Sequence, residues 1–288
     1  MSNALLGVFS DLSNDDYHSD LAIGSSGLKR FLVSPLHYWA AYLDPERERR
    51  DTKAFRMGRA WHCSVFEPSE FTSRYVPMPE GLDRRTKEGK ALWAEIEASG
   101  RDALASREVA AVEKMAGIAR DLPISRVVFD QLAQHGAAEA SLFTVDPATG
   151  LRLKIRPDYM LRPCPMFPNG LIIDGKTTTD ASRDGFARQV WNLDYGLQAA
   201  LYTSVYQSIF DTAGRPAFLW LAQEKEAPHA AAFYSAGADL MDYWDKRIAK
   251  TLPAVARCQE SGVWPGFPET VTELALPTWA LPGPWSGR

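Results

Sequence analysis

Two carboxylates and one amine stand out as residues that could do chemistry together. Asp158 lies in the run IRPDYM; after fifteen intervening residues, Asp174 and Lys176 follow in LIIDGKTTTD. A strand points residues i and i+2 to the same side, so Asp174 and Lys176 would stand side by side at the end of an apolar run. If Asp158 lies on the strand before, the two acids come within a few ångströms of each other. Carboxylates that close repel unless a cation lies between them, and hard oxygen ligands suit Mg²⁺ or Mn²⁺. An amine beside such a cation can orient or help deprotonate an attacking water, or offset charge building on a phosphate. That is the pattern of metal-assisted phosphodiester hydrolysis. Taken alone, Asp174 and Lys176 read equally well as a structural ion pair capping a strand.

The elements around these residues must position them. AEASLFTV (138–145), LRLKIRPDYML (151–161) and LIIDGK (171–176) read as strands, with DPATG a hairpin-like turn between the first two. Leu171 to Ile173 read as a strand covered on both faces. A long helix is expected from about Gly185 to Phe210, strands over 215–224 and 230–237, and a helix over 238–259. Upstream, Ser25 or Ser26 is the expected N-cap of a helix with Leu28, Phe31 and Leu32 as its stripe, restarting at Pro35. Further helices are expected over 55–68, 84–100 and 106–122. Residues 1–20 and 69–83 read as loose, 45–53 as an exposed charged link, and 260–288 as an extended tail. Gly58, one turn before His62, is expected to permit close helix packing. The order implies an α/β (α+β) chain with a mixed central sheet flanked by helices. We read residues 1–288 as one domain, with a helical elaboration over 20–136 and the α/β core over 137–259.

Composition narrows the classes. Of 288 residues, 45% are hydrophobic and 24% charged, enough for a sizeable core. The net charge of −4 argues against coating nucleic acid by bulk electrostatics, but not against a local basic groove. No run approaches the ~20 apolar residues of a membrane span, and the N-terminus has no basic start, so the expected location is cytoplasmic. Cys63, Cys164 and Cys258 are dispersed and form no CxxC, so no iron–sulfur cluster is expected.

Pro157-Asp158 followed by Asp174-Gly175-Lys176 on successive strands resembles the PD-(D/E)XK nuclease superfamily. Gln198 and Tyr202, at i and i+4 in QAALY, resemble the QxxxY motif of its RecB-like branch, whose residues contact DNA or order the lysine. His62 in MGRAWHCSVFEP resembles that branch's upstream metal-approaching histidine, and Glu139 matches an acid that completes the metal shell. The runs GSSGLKRFLVSPLHYWAAYLD, FRMGRAWHCSVFEP, DRRTKEGKALW, IRPDYM and IIDGKTTTDASRDGFARQVWNLDYGLQAALY, in that order, resemble the exodeoxyribonuclease VIII (RecE-type) family. The resemblance covers roughly residues 20–235 and implies a PD-(D/E)XK restriction-endonuclease-like core. It also implies a Mg²⁺-dependent exonuclease on linear double-stranded DNA that works from 5′ ends and leaves 3′ overhangs. A tetrameric ring, a RecT-type single-strand annealing partner, and a phage or prophage origin in a bacterial cell are implied too. On this reading His62, Glu139, Asp158, Asp174 and the Gly175 carbonyl are the candidate metal ligands. Lys176 prepares the water, and Gln198 and Tyr202 position it or the strand. The basic run Arg84, Arg85, Lys87, Lys90 reads as either a solvated helix face or a DNA-backbone contact. Thr177, Thr178 and Thr179 read as phosphate donors, β-formers or caps. Arg188 is placed toward the same groove, and Lys29 and Arg30 are weaker phosphate candidates.

Overall fold

The computed structural model describes residues 5–47, 53–79 and 85–275. The chain begins with β1 (Gly7–Phe9), α1 (Asn14–Ser19), α2 (Ser25–Val33), α3 (Pro35–Tyr42) and α4 (Lys53–Phe66). A single turn, α5 (Phe71–Arg74), leads into β2 (Tyr75–Met78). Next come α6 (Lys87–Ser99), β3 (Asp102–Ala105), α7 (Ser106–Asp121) and α8 (Pro123–Arg126). Five strands follow: β4 (Gly136–Ala138), β5 (Ser141–Val145), β6 (Arg152–Ile155), β7 (Tyr159–Leu161) and β8 (Leu171–Thr178). The last elements are α9 (Arg183–Asn192), α10 (Tyr195–Phe210), β9 (Ala217–Glu224), β10 (Ala231–Ser235) and α11 (Ala238–Ser261).

The central sheet is mixed, with strand order β10-β9-β8-β7-β4. Strands β8 and β9 run parallel, which requires a crossover, and α9 and α10 provide it. The other pairings in this sheet are antiparallel. A second sheet, β1-β5-β6, lies beside it, and β2 pairs in parallel with β3. Alternation along β8 splits its apolar residues between two layers. Ile172 packs with α2, α10 and α11 residues such as Leu28, Leu201 and Leu252, while Leu171 and Ile173 pack with Trp61, Phe66, Val112 and Met115 from α4 and α7. The strand is therefore covered on both faces, as its unbroken apolar run implies. Each fully buried aliphatic side chain contributes about 1.5–3 kcal/mol, which makes β8 a rigid base for the charged residues that follow. Among the described residues no helix is long and apolar enough to cross a membrane.

Several expected elements are divided. The 138–145 strand is interrupted at Glu139, which holds a left-handed backbone with φ 50, so β4 lies in the central sheet and β5 in the second. The 151–161 strand breaks at Arg156–Asp158, where Pro157 cannot donate to a ladder, and β6 and β7 likewise belong to different sheets. The 185–210 helix bends at Asp194, φ 51, into α9 and α10. The N-cap of α2 is Gly24; Ser25 is already in the first turn and buried. Residues 5–20 are not loose: Tyr17 and Phe143 are buried together, with Phe9 packed against them. The 69–83 loop contains α5 and β2. Gly58 does not sit at a close helix crossing, since an added Cβ there would meet nothing within 4 Å. After α11 the chain turns back over α3, with Trp264 stacked on Tyr38 and the Leu36 amide donating to the Pro265 carbonyl. The expected tail over 276–288 and the link over 48–52 lie outside the described residues.

Candidate active site

Register brings the two acids together. Tyr159 on β7 pairs with Ile173 on β8, so Asp158, just before β7, lies level with the end of the apolar run. The Gly175 amide donates to Asp158 Oδ2 at 2.5 Å. Asp174 and Lys176 share one face of β8, and Lys176 Nζ lies 2.5 Å from Asp174 Oδ2. Asp174 is buried at 1% exposure, so the pair is no surface ornament.

Helix α4 delivers His62. Trp61 is buried and its indole N–H donates to Gln223 Oε1 at 2.6 Å; the Gln223 amide in turn donates to the carbonyls of Met115 and His229. This buried bracket fixes the helix on the sheet, and the next residue, His62, reaches Asp158 Oδ2 with Nδ1 at 3.2 Å. Gly175 makes the approach possible. A Cβ there would lie 2.8 Å from both Phe66 and Trp61 ring atoms. Gly175→Ala is therefore expected to destabilise the fold by about 1–3 kcal/mol through overpacking, and to weaken cation binding as α4 is displaced. Thermal denaturation and a Mn²⁺ titration check both; an unchanged melting temperature would refute the close-approach argument.

Helix α10 addresses both acidic segments. Gln198 Nε2 donates to Asp174 Oδ1 at 2.6 Å, and one turn later the Tyr202 hydroxyl donates to the Arg156 carbonyl at 3.3 Å. Tyr195, on the same helix face at i−3 from Gln198, places its ring under Lys176, with Nζ 4.8 Å from the ring centroid. Glu139 joins from the end of β4: its amide donates to the Asp158 carbonyl at 3.2 Å. His62, Glu139 and Asp158 each offer a ligand atom, and these atoms lie within 4.8 Å of one another. Asp174 is outside this tight set. The sequence pairs it with Asp158 as the principal metal acids; here its Oδ1 accepts from Gln198, while its buried Oδ2 faces Lys176 without a well-aligned hydrogen bond.

The charges are strongly coupled. Burial pushes the Glu139 carboxyl up to about 8, with the Asp158 charge adding to it. Burial would raise Asp158 as well, but His62, Lys176 and the Gly175 amide prevail and hold it below the usual carboxylate range. Burial lifts Asp174 above that range despite Lys176. Burial opposes charge on Lys176 and His62, yet the neighbouring acids keep both more basic than usual. The donor set suits a divalent cation: two acids in mutual repulsion and one imidazole converge on one point.

Beside His62 and Glu139 opens a cleft of about 1000 Å³, bordered also by Gly58, Arg59, Thr177 and Lys225; Asp158, Asp174 and Lys176 lie behind these residues and do not border it themselves. Thr177 thus faces the cleft. Thr178 does not: it is buried, and its hydroxyl is engaged by Asp180 and Gln189, so it is corrected from a DNA-facing group to a structural one. Arg85 and Lys87 are exposed at the start of α6 and Arg188 is exposed on α9, 3.9 Å from Asp180; none of these is among the residues bordering the cleft. Arg84 lies outside the described residues. Sequence reasoning missed Arg156, whose guanidinium sits 4.2 Å from the Tyr17 ring centroid and donates to Ser141 Oγ and the Leu12 carbonyl. It also missed Tyr195 and Gln223. The i, i+3, i+7 spacing of Tyr195, Gln198 and Tyr202 carried a signal; Gln223, a lone amide in AFLWLAQE, carried a weaker one.

The structure resembles that of a Eubacterium rectale protein described as a "Putative exonuclease". The TM-score is 0.59 at 15% identity, over 93% of this chain and 94% of the other, which establishes a shared fold. The structure of SSO0001 overlaps at a TM-score of only 0.28 with 12% identity, over 68% of this chain and 86% of the other, and carries no argument. Among curated proteins none matches the sequence. Residues 24–274, which hold each of the site residues above, match a family described as PDDEXK-like domain of unknown function (DUF3799). The chain belongs to that PDDEXK-like family.

Proposed function

We propose that the protein is a divalent-metal-dependent deoxyribonuclease that degrades linear double-stranded DNA from its ends. The observation that carries this reading is the convergence of His62, Glu139 and Asp158 within 4.8 Å, beside the buried Asp174–Lys176 pair. Asp158, Glu139 and His62 would hold the cation, Mg²⁺ or Mn²⁺, with Asp174 and the Gly175 carbonyl as further oxygen donors. When bound, such an ion supplies Lewis-acid stabilisation of phosphate charge and a more acidic water. The chain's own groups do the rest. Lys176, kept protonated by its acidic neighbours, is suited to donate to a phosphate oxygen and orient the attacking water rather than to take up its proton. Gln198 holds Asp174 in register with Lys176, and Tyr202 anchors the turn that carries Asp158. Thr177 and Lys225 border the cleft where a DNA backbone would run, and Arg84, Arg85, Lys87 and Arg188 are candidates for more distant phosphates.

The RecE-type resemblance extends the proposal. It supports 5′-to-3′ digestion leaving 3′ overhangs for strand annealing, a tetrameric ring, a RecT-type partner, and a phage or prophage origin in bacterial cytoplasm. The alternatives are another RecB-like DNA nuclease, of CRISPR-adaptation or repair type, and a non-catalytic DNA-end-binding protein; the convergence of His62, Glu139 and Asp158 beside Lys176 favours a nuclease over the latter. Nucleotide release from linear and circular duplexes, with Mg²⁺ and with chelator, tests the reading. Release from the linear form alone, and only with metal, is expected; none from either form would overturn it. Labelling the duplex at each terminus in turn reads the polarity.

A further inference from the structure

Lys29, on the second turn of α2, projects toward the same site from a helix that supplies none of the acids. Its ammonium lies 5.2 Å from the Tyr195 ring centroid and donates to the Leu193 carbonyl at 2.6 Å. Lys176 lies 4.8 Å from the same centroid, which puts the two amines within about 10 Å of each other. Among the described residues no carboxylate lies within ion-pair distance of Lys29. An ammonium has three donors, and the Leu193 carbonyl takes one of them.

Two like charges gathered around one aromatic ring repel, and partial burial adds a desolvation cost. Burial and the nearby Lys176 together push the Lys29 amine down to about 8. A carbonyl and a ring face return only part of that cost. Lys176 already has Asp174 as its counter-ion, so an anion beside the two amines would chiefly balance Lys29. Lys29 is partly exposed, so such an anion can reach it from solvent.

We propose that Lys29 and Lys176 form a two-amine phosphate clamp across Tyr195, in which Lys29 binds the DNA phosphate next to the scissile one. This rests on the nuclease reading and assigns a phosphate contact that the acidic centre does not provide. Tyr195 is then the spacer that sets the separation of the two cations. The clamp would hold one strand in register, whatever its sequence, because it touches only the backbone.

The test uses Lys29→Met and Lys29→Arg in the full chain, with a fluorescent linear duplex in chelator so that no cleavage occurs. Lys29→Met is expected to weaken binding about five- to tenfold and to lower the salt slope of log Kd by about one. Lys29→Arg keeps the charge and is expected to restore both. With Mg²⁺, Lys29→Met should raise KM far more than it lowers kcat, the signature of lost uniform binding. An unchanged Kd and salt slope in a folded Lys29→Met protein would overturn the clamp while leaving the nuclease reading intact. So would a fall in kcat at constant Kd, since Lys29 would then only be bracing Tyr195. A wild-type protein that neither binds nor digests linear duplex overturns the nuclease reading, and the clamp with it.

Discussion

Replacing Lys176 by methionine is expected to reduce nucleotide release from linear duplex by about 10²- to 10³-fold, the usual cost of losing a charged donor at the reacting phosphate. Binding of the same duplex in chelator should change far less. Methionine keeps much of the aliphatic stem, so the effect reports charge rather than a hole. A second consequence follows from burial: Asp174, at 1% exposure, loses its counter-ion. The variant should therefore be less stable than the parent, because a buried charge without its partner is costly. Adding Asp174→Asn to Lys176→Met should recover part of that stability and none of the activity. Single-turnover digestion and thermal denaturation of the three proteins measure both effects. A Lys176→Met protein that digests at the parental rate would remove the amine from the mechanism.

Neutralising Asp158 strikes the point where three elements meet. Its Oδ2 receives the Gly175 amide and faces His62, and its charge helps hold Glu139 up at about 8. Asp158→Asn is expected to lower Mn²⁺ affinity by about 100-fold or more, at or above the range seen when a ligand's outer partner is lost. The proton balance should change with it. In the parent, Glu139 is largely protonated at neutral pH and must ionise to coordinate, so cation binding releases a proton. Affinity should therefore climb as pH rises toward about 8 and level off above it. His62 adds to the release, since it too must give up a proton to coordinate. In Asp158→Asn the like charge is gone, so Glu139 should titrate lower and the pH dependence should move to more acidic values. Calorimetry in buffers of different ionisation enthalpy reads affinity and proton count together. Equal affinity in parent and variant, or a parent affinity flat across neutral and mildly alkaline pH, would break the proposed donor set.

Much of this centre could be read from the chain, because its logic is local. The alternation that puts Asp174 beside Lys176 holds for any strand, and the i, i+4 spacing of Gln198 and Tyr202 holds for any helix. The apolar run before Asp174 does form a strand buried on both faces. What the chain did not show was where strands end in space. Hydrophobic pattern continues across Glu139 and across Arg156–Asp158, yet the backbone leaves one sheet for another at both places, and only tertiary pairing decides that. The surroundings of Asp174 depend on how near α10 and Lys176 approach, which no spacing rule gives. Lys29 and Gln223 are joined to the site across 164 and 162 residues of sequence, to Leu193 and Trp61 respectively. A one-dimensional reading has no access to contacts of that range.

Both acids that approach His62 sit where regular pairing lapses: Glu139 in its left-handed kink and Asp158 in the gap before β7. Inside a pleated strand a side chain must point straight up or straight down, and carboxylates from different strands run side by side without meeting. At a lapse that constraint is lifted, and an acid can lean sideways toward a common focus. The missing rungs of the ladder are thus the joints that let separate segments aim at a single point.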